Sequence, residues 1–155
     1  MSSEYINKEI DKIFNDKSLE STKEAMICAW ILGNFKGINL KIMDLSRSSS
    51  VASFYVLASA TNTTQSKAMA GEIINQLRRL NCPILSKEGM NNTDWILIDA
   101  DDVIVHIFQE AARDAYGLEE LWSEAENVVI PSEYYFSSDQ EAPSAISDDK
   151  GRDFF

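Results

Sequence analysis

The amino-acid sequence predicts an α/β domain, a mixed sheet of about five strands with flanking helices. Three observations carry that prediction. Hydrophobic periodicity switches between helical and extended along the chain, in the order helix, helix, strand, strand, helix, strand, strand, strand, helix. The run Phe54-Tyr55-Val56-Leu57-Ala58 is apolar almost throughout, as a strand covered on both faces is. Trp95 to Asp99 and Val103 to Phe108 are separated only by Ala100-Asp101-Asp102, which predicts an antiparallel hairpin in a chain whose other connections are long enough to cross over.

In chain order, Tyr5 to Asp16 sets Ile6, Ile10, Ile13 and Phe14 at helical spacing, an amphipathic helix. Ser21 and Glu24 have the spacing of a capping box, which predicts the start of a second helix. Its apolar residues, among them Met26, Ile27, Trp30, Ile31 and Phe35, run nearly all round, and Gly37 supplies the stop. Asn39 to Leu45 reads as extended, and the loop Ser46 to Ser50 leads into the Phe54 strand. The polar turn Thr61 to Thr64 can cap a third helix, with Met69, Ile73, Leu77 and Leu80 in one stripe and Lys67, Arg78 and Arg79 on a solvated face. Pro83 to Ser86 and the two hairpin segments complete the strands. A short helix is expected over Glu110 to Tyr116, and Leu118, Leu121 and Trp122 have spacing suited to packing back on the domain.

With 155 residues and 45% of them hydrophobic, the chain can bury one ordinary core. The expected organisation is a helical extension over 1–20, a folded domain over 21–128, and an acidic, Ser-rich tail over 131–155 with too few apolar residues to offset the entropy of ordering it. The cluster Tyr134-Tyr135-Phe136 in that tail reads as a transient docking point. The apolar stretches Ala25 to Phe35 and Ala52 to Ala60 fall short of the roughly 20 residues a membrane span needs, and the first residues lack a secretory pattern, so a cytoplasmic protein is expected. Cys28 and Cys82 lack metal-ligand spacing and read as reduced thiols in or near the core. A formal net charge of -11 disfavours direct recognition of nucleic acid, which gains free energy when Lys and Arg displace counterions. It favours docking to a basic protein.

Chemistry is sparse. His106 is the single histidine in the sequence and lies inside Val-Ile-Val-His-Ile-Phe, so a hydrogen-bonded structural role is favoured over ligation or general-base work. Asp99 and Asp101 alternate correctly for one strand face and, with Asp102, could hold Mg²⁺ for nucleotidyl transfer. That reaction also needs a phosphate-cradling loop, and no Gly-rich segment occurs; a charged hairpin turn is the preferred reading. No enzyme, cofactor or metal is expected.

The late part of the domain carries an aromatic and acidic constellation: Trp95-Ile-Leu-Ile-Asp99, Asp102-Val-Ile-Val-His106-Ile-Phe108, then Arg113, Tyr116 and Leu118-Glu-Glu-Leu-Trp122. This run resembles the ribosomal silencing factor (Iojap) family, with its Trp-led strand, Asp-Val-Val-Val-His strand and Arg-x-x-Tyr-x-Leu-x-x-Leu-Trp ending. Leu40 to Leu45 and Phe54 to Ser59 resemble the family's first two strands, and the similarity runs from Thr22 to Val128. Ser53, Ala60 and Asp101 depart from the family's usual Asp, Gly and Gly. The resemblance implies a sheet similar to that of nucleotidyltransferases without their catalytic signature. It also implies a translational repressor that binds the large ribosomal subunit through large-subunit ribosomal protein fourteen at the intersubunit face and blocks subunit joining.

On that reading Trp95, Asp99, Asp102, Arg113 and Tyr116 are the expected contacts, and Leu121 and Trp122 either join the interface or brace it; for Trp122 a place in the core is at least as well supported. The competing readings are a Mg-dependent nucleotidyltransferase-like enzyme using Asp99 and Asp101, and a scaffold that recruits proteins through its first helix and tail. The sequence is compatible with a homodimer without specifying one.

Overall fold

A computed structural model describes residues 1–136. Helix α1 (Ser3–Phe14) is followed by a 3-10 turn (Lys17–Leu19), α2 (Lys23–Asn34), β1 (Ile38–Asp44), β2 (Phe54–Ala60) and α3 (Thr63–Arg79). Then come β3 (Ser86–Glu88), β4 (Trp95–Ala100), β5 (Val103–Gln109), two one-turn helices, α4 (Arg113–Tyr116) and α5 (Leu118–Leu121), and β6 (Glu126–Val128). The sheet is mixed and has six strands in the order β3-β4-β5-β2-β1-β6. β2 and β5 pair in parallel at its centre, and every other pair is antiparallel. β2 is therefore central, as its apolar run predicts.

The sixth strand is the one the sequence does not announce. Glu126-Asn127-Val128 has no alternation and low strand propensity, and it is extended because it pairs with the outer edge of β1, Val128 opposite Ile42. β3 also sits later than Pro83 to Ser86. Pro83 cannot donate to a ladder, pairing begins where the Leu85 amide donates to the Asp99 carbonyl (2.7 Å), and the strand itself is the exposed Ser-Lys-Glu of a sheet edge.

Alternation gives the two sheet faces different cover. One face presents Ile96, Ile98, Val103, Val105, Ile107, Val56, Ala58 and Ile42 to a large core shared with the three long helices. The other presents Trp95, Phe108, Tyr55, Leu57 and Met43, and among the described residues is covered by Tyr116, Leu118, Trp122 and Ala125 in place of a long helix. No helix of the described residues is long and apolar enough to cross a membrane.

The helices obey their local signals in most places. Ser2 caps α1 by accepting the Tyr5 amide, and Ile6, Ile10 and Ile13 are buried. Asn62 caps α3 by accepting the Gln65 amide at 2.8 Å. The capping box of α2 does not form. Thr22, not Ser21, is the N-cap, and its hydroxyl turns back to the carbonyl of Leu19 (3.4 Å), the last residue of the preceding 3-10 turn, with three residues between that turn and the helix. At the other end Lys36, not Gly37, takes the left-handed conformation (φ 69°), with the Gly37 amide donating to Leu32 and the Lys36 amide to Gly33. Glycine is still required at 37, where a Cβ would lie 2.6 Å from the Leu32 carbonyl oxygen. Lys67, Arg78 and Arg79 are exposed as expected, and Arg79 also reaches α1, donating to Asp11 at 2.8 Å.

The expectation of an unordered segment from Pro131 needs correcting at its start. Ser132–Tyr134 forms a 3-10 turn, and Tyr134 is buried with its hydroxyl pushed up to about 12 by burial. The Tyr134 carbonyl accepts from Asn34 Nδ2 (3.0 Å), and the Phe136 amide donates to the Gly33 carbonyl (3.0 Å). The cluster Tyr134-Tyr135-Phe136 thus begins by docking on its own α2; residues 137–155 of the predicted tail lie outside the described residues. Gly33 has no side chain to keep the strap off, since a Cβ there would run into the Tyr134 carbonyl oxygen. Gly33→Ala should therefore displace residues 131–136 at a cost of about 1–3 kcal/mol. Hydrogen exchange at the Phe136 amide should accelerate, and unchanged protection there would contradict the docking.

Candidate functional site

The half-covered face of the sheet gathers most of the aromatic residues of the late constellation. In the β4–β5 ladder Trp95 stands opposite Phe108 and Leu97 opposite His106, while parallel pairing places Leu57 beside His106 and Tyr55 beside Ile104. The rings touch in a continuous array. Trp95 lies with its centroid 4.6 Å from Tyr116, 5.1 Å from Phe108 and 5.7 Å from His106; Tyr55 is 4.5 Å from His106 and meets Trp122 edge-on at 5.9 Å. Trp95 is half-buried and Tyr116 is 48% exposed, so the array has an outer surface.

His106 is 2% exposed and accepts a hydrogen bond at Nδ1 from Trp95 Nε1 (3.0 Å). Burial pushes its pKa down to about 4, so the ring is neutral near pH 7. This is the hydrogen-bonded structural histidine the strand context predicts. Beside Trp95, the residues Glu88, Gly89, Thr93, Asp94, Leu97 and Tyr116 line a cavity of about 310 Å³ with two carboxylates at its edge. Gly89 closes the turn at φ 77°, where a Cβ would strike the Trp95 carbonyl oxygen.

Arg113 corrects an expectation. It is buried (8% exposed) and turned inward: Nε donates to Glu119 Oε1 (2.8 Å), and Nη1 donates to the Asn39 carbonyl (2.7 Å) and to Ser59 Oγ (3.0 Å). Lys41 adds an ion pair to the other Glu119 oxygen at 2.7 Å. The bond from Arg113, helped by Lys41, holds the Glu119 carboxyl below its usual range against the opposing effect of burial. Arg113 is a brace that ties α4 and α5 to β1 and β2, and so holds Tyr116 and Trp122 over the sheet.

The acids separate. Asp99 shares the face of Trp95 and Leu97, half-buried, with Oδ1 accepting the Asp101 amide at 3.0 Å. Asp102 lies beyond the opposite end of the hairpin from Trp95, exposed, with Oδ1 accepting from Ser53 Oγ (3.2 Å) and its carbonyl accepting the Ser53 and Phe54 amides. It closes the entry to β2 and stands apart from the aromatic array. Asp101 adopts the left-handed conformation (φ 71°) in the two-residue turn between β4 and β5. Among the described residues no three His, Cys, Asp or Glu side chains are grouped to hold a metal. Cys28 and Cys82 are free and buried, with burial raising both thiols, Cys82 to about 12.

Leu121 is 73% exposed and does not pack back, whereas Trp122 is half-buried against Tyr55 in the second core cluster. The sequence reading did not single out Tyr55, Lys41, Ser59 or Glu119. Tyr55 was hidden in a run that looked uniformly buried; Ser59 is an ordinary polar residue until the folded sheet sets it beside Arg113, and Glu119 and Lys41 are so until the turn of α5 sets Glu119 between Arg113 and Lys41.

A family model described as "Ribosomal silencing factor during starvation" matches residues 18–153. The chain belongs to this family. It is 34% identical over 92 residues to a ribosomal silencing factor RsfS of Haemophilus influenzae, an alignment spanning 59% of this chain and 90% of that one. A crystal structure of a Chromobacterium violaceum protein superposes with a TM-score of 0.65 at 30% identity, covering 67% of this chain and 87% of the other. The mouse protein named for mitochondrial assembly of the ribosomal large subunit is 29% identical over 73 residues, 45% of this chain and 32% of that one. Helix α1 ends before the silencing-factor match begins.

Proposed function

We propose that this member of the silencing factor family represses translation by occupying the intersubunit face of the large ribosomal subunit, through ribosomal protein fourteen of that subunit, and thereby blocks the small subunit from joining. The carrying observation is the outer surface formed by half-buried Trp95 and exposed Tyr116, on the face of the sheet that no long helix covers, with Glu88 and Asp94 beside it and Asp99 further along the same face of β4. Large aromatic side chains bury much area with few rotatable bonds and dominate binding hot spots. Acidic neighbours, in a chain of net charge -11, suit a basic ribosomal protein and repel bare RNA. Relatives named as silencing factors, and a mouse relative named for the large subunit, point to the same particle. A steric block needs a stable footprint and no chemical step. On this proposal the protein acts on cytoplasmic ribosomes.

Sedimentation with separated subunits across a salt series tests the proposal. Co-migration with the large subunit alone, weakening as salt rises, is the expected result; migration with neither subunit at low salt would end it. Trp95→Ala and Tyr116→Ala should each weaken that association by roughly tenfold to thirtyfold. Tyr116→Ala is the cleaner variant, because its side chain is half exposed and its loss should leave the melting temperature within a few degrees. Full association by both variants would move the interface elsewhere.

A further inference from the structure

We infer that His106 is a positioning residue for the docking surface: its Nδ1 anchors the Trp95 indole N–H, so that Trp95 meets its partner with apolar and π surface only. The inference rests on the docking role proposed for Trp95. Strand β5 is otherwise apolar from Val103 to Phe108, and a buried imidazole there is a poor choice for packing alone. The polar contact it makes among the described residues is the bond from Trp95 Nε1 at 3.0 Å. Accepting at Nδ1 puts the proton of the neutral ring on Nε2, which is buried without a partner among the described residues. The fold therefore tolerates an unpaired donor to keep an acceptor under Trp95.

Geometry explains the use. Trp95 and His106 are diagonal neighbours on adjacent strands, and the bond ties the polar edge of the indole down while Phe108 and Tyr116 flank its ring. Tyr55 packs on the imidazole from β2, and Phe108 is stacked parallel to it within 10°. A pinned indole loses less rotamer freedom on binding, which favours affinity. Its only donor is already used, so the partner atoms above it need no acceptor and can be apolar or cationic.

The test uses the full chain with ¹⁵N label. The Trp95 indole resonance, assigned by its disappearance in Trp95→Phe, should show a ¹⁵N–¹⁵N coupling to His106 across the N–H···N bond and slow exchange with solvent. His106→Phe keeps a ring and removes the acceptor; it should speed that exchange and weaken large-subunit association by about fivefold to tenfold. His106→Asn restores an acceptor oxygen near the Nδ1 position and should recover both properties in large part. No coupling with fast exchange in the wild-type chain overturns the inference. So does wild-type affinity in a folded His106→Phe chain, or a His106→Asn chain as weak as His106→Phe. Should His106→Phe fail to fold, the wild-type coupling and the His106→Asn affinity decide. Should the wild-type chain bind no subunit, the docking proposal falls, while coupling and exchange still decide whether His106 holds Trp95.

Discussion

Ile10→Ala is expected to lower the stability of the domain by about 2–5 kcal/mol, the range for truncating a fully buried isoleucine. Ile10 has no exposed surface, and with Ile6 and Ile13 it fills the space between α1 and α2 in the main core. For a domain of this size the loss corresponds to a fall in melting temperature of roughly 5–15 °C. The residue lies outside the segment that matches the silencing factor family, so the variant distinguishes an integral helix from an appended one. A thermal scan showing a shift below a degree or two would mean that α1 packs only loosely. The same packing alters what an amino-terminal truncation means. Removing residues 1–17 would strip Ile6, Ile10 and Ile13 from the main core, take Tyr5 off Trp30 and break the Arg79–Asp11 pair, so any loss of ribosome association would first have to be separated from loss of folding.

Arg113→Ala should destabilise by about 2–3 kcal/mol, below the usual 3–5 for breaking a buried pair because Glu119 keeps part of its solvent contact. The change removes three hydrogen bonds at once and leaves the Asn39 carbonyl and Ser59 hydroxyl without their donor. Subunit association should weaken too, since α4 and α5 carry Tyr116 and Trp122 over the sheet. A pH series gives the brace its own signature. The folded-state pKa of Glu119 is depressed, first by the Arg113 bond, so its contribution is present above the ordinary carboxylate value of 4.5 and is lost as pH falls through the lowered one. The stability gap between wild type and Arg113→Ala, read from urea unfolding, should narrow below about pH 4.5. A gap that stays constant to pH 3 would assign the cost to packing and not to the ion pair.

Much of this molecule could be read directly from residue order. The stripe Met69, Ile73, Leu77 with its Asn62 cap, the apolar run of β2 and the two-residue turn between β4 and β5 are local patterns, and local patterns decide helices, strands and tight turns before any long-range contact forms. The aromatic residues of the proposed docking surface were visible in the same way, as an unusual cluster late in the domain. Resemblance to the silencing factors rested on that cluster, and the family match bears it out. The cap of α2 failed because a neighbouring 3-10 turn competed for Thr22, a contest between two local signals of similar strength.

Other features had no local cause and could not be foreseen. β6 is a strand because β1 lies beside it, and Tyr134 is buried because Gly33 leaves room for its backbone on α2. Arg113 is a charged residue of the kind that makes surface contacts, yet pairing of β1 with β2 sets the Asn39 carbonyl and Ser59 together beside it, and with Glu119 of the next helical turn they make it a brace. Asp99 and Asp102 are three positions apart in the chain and stand in different surroundings, because β4 ends and the hairpin turns between them. Residue order settled the long helices and the central strands, and which side chains were available for the proposed docking. Strand pairing settled which of them face outward together, since a polar group's partner is fixed by neighbours that are distant in the chain and close only in the folded sheet.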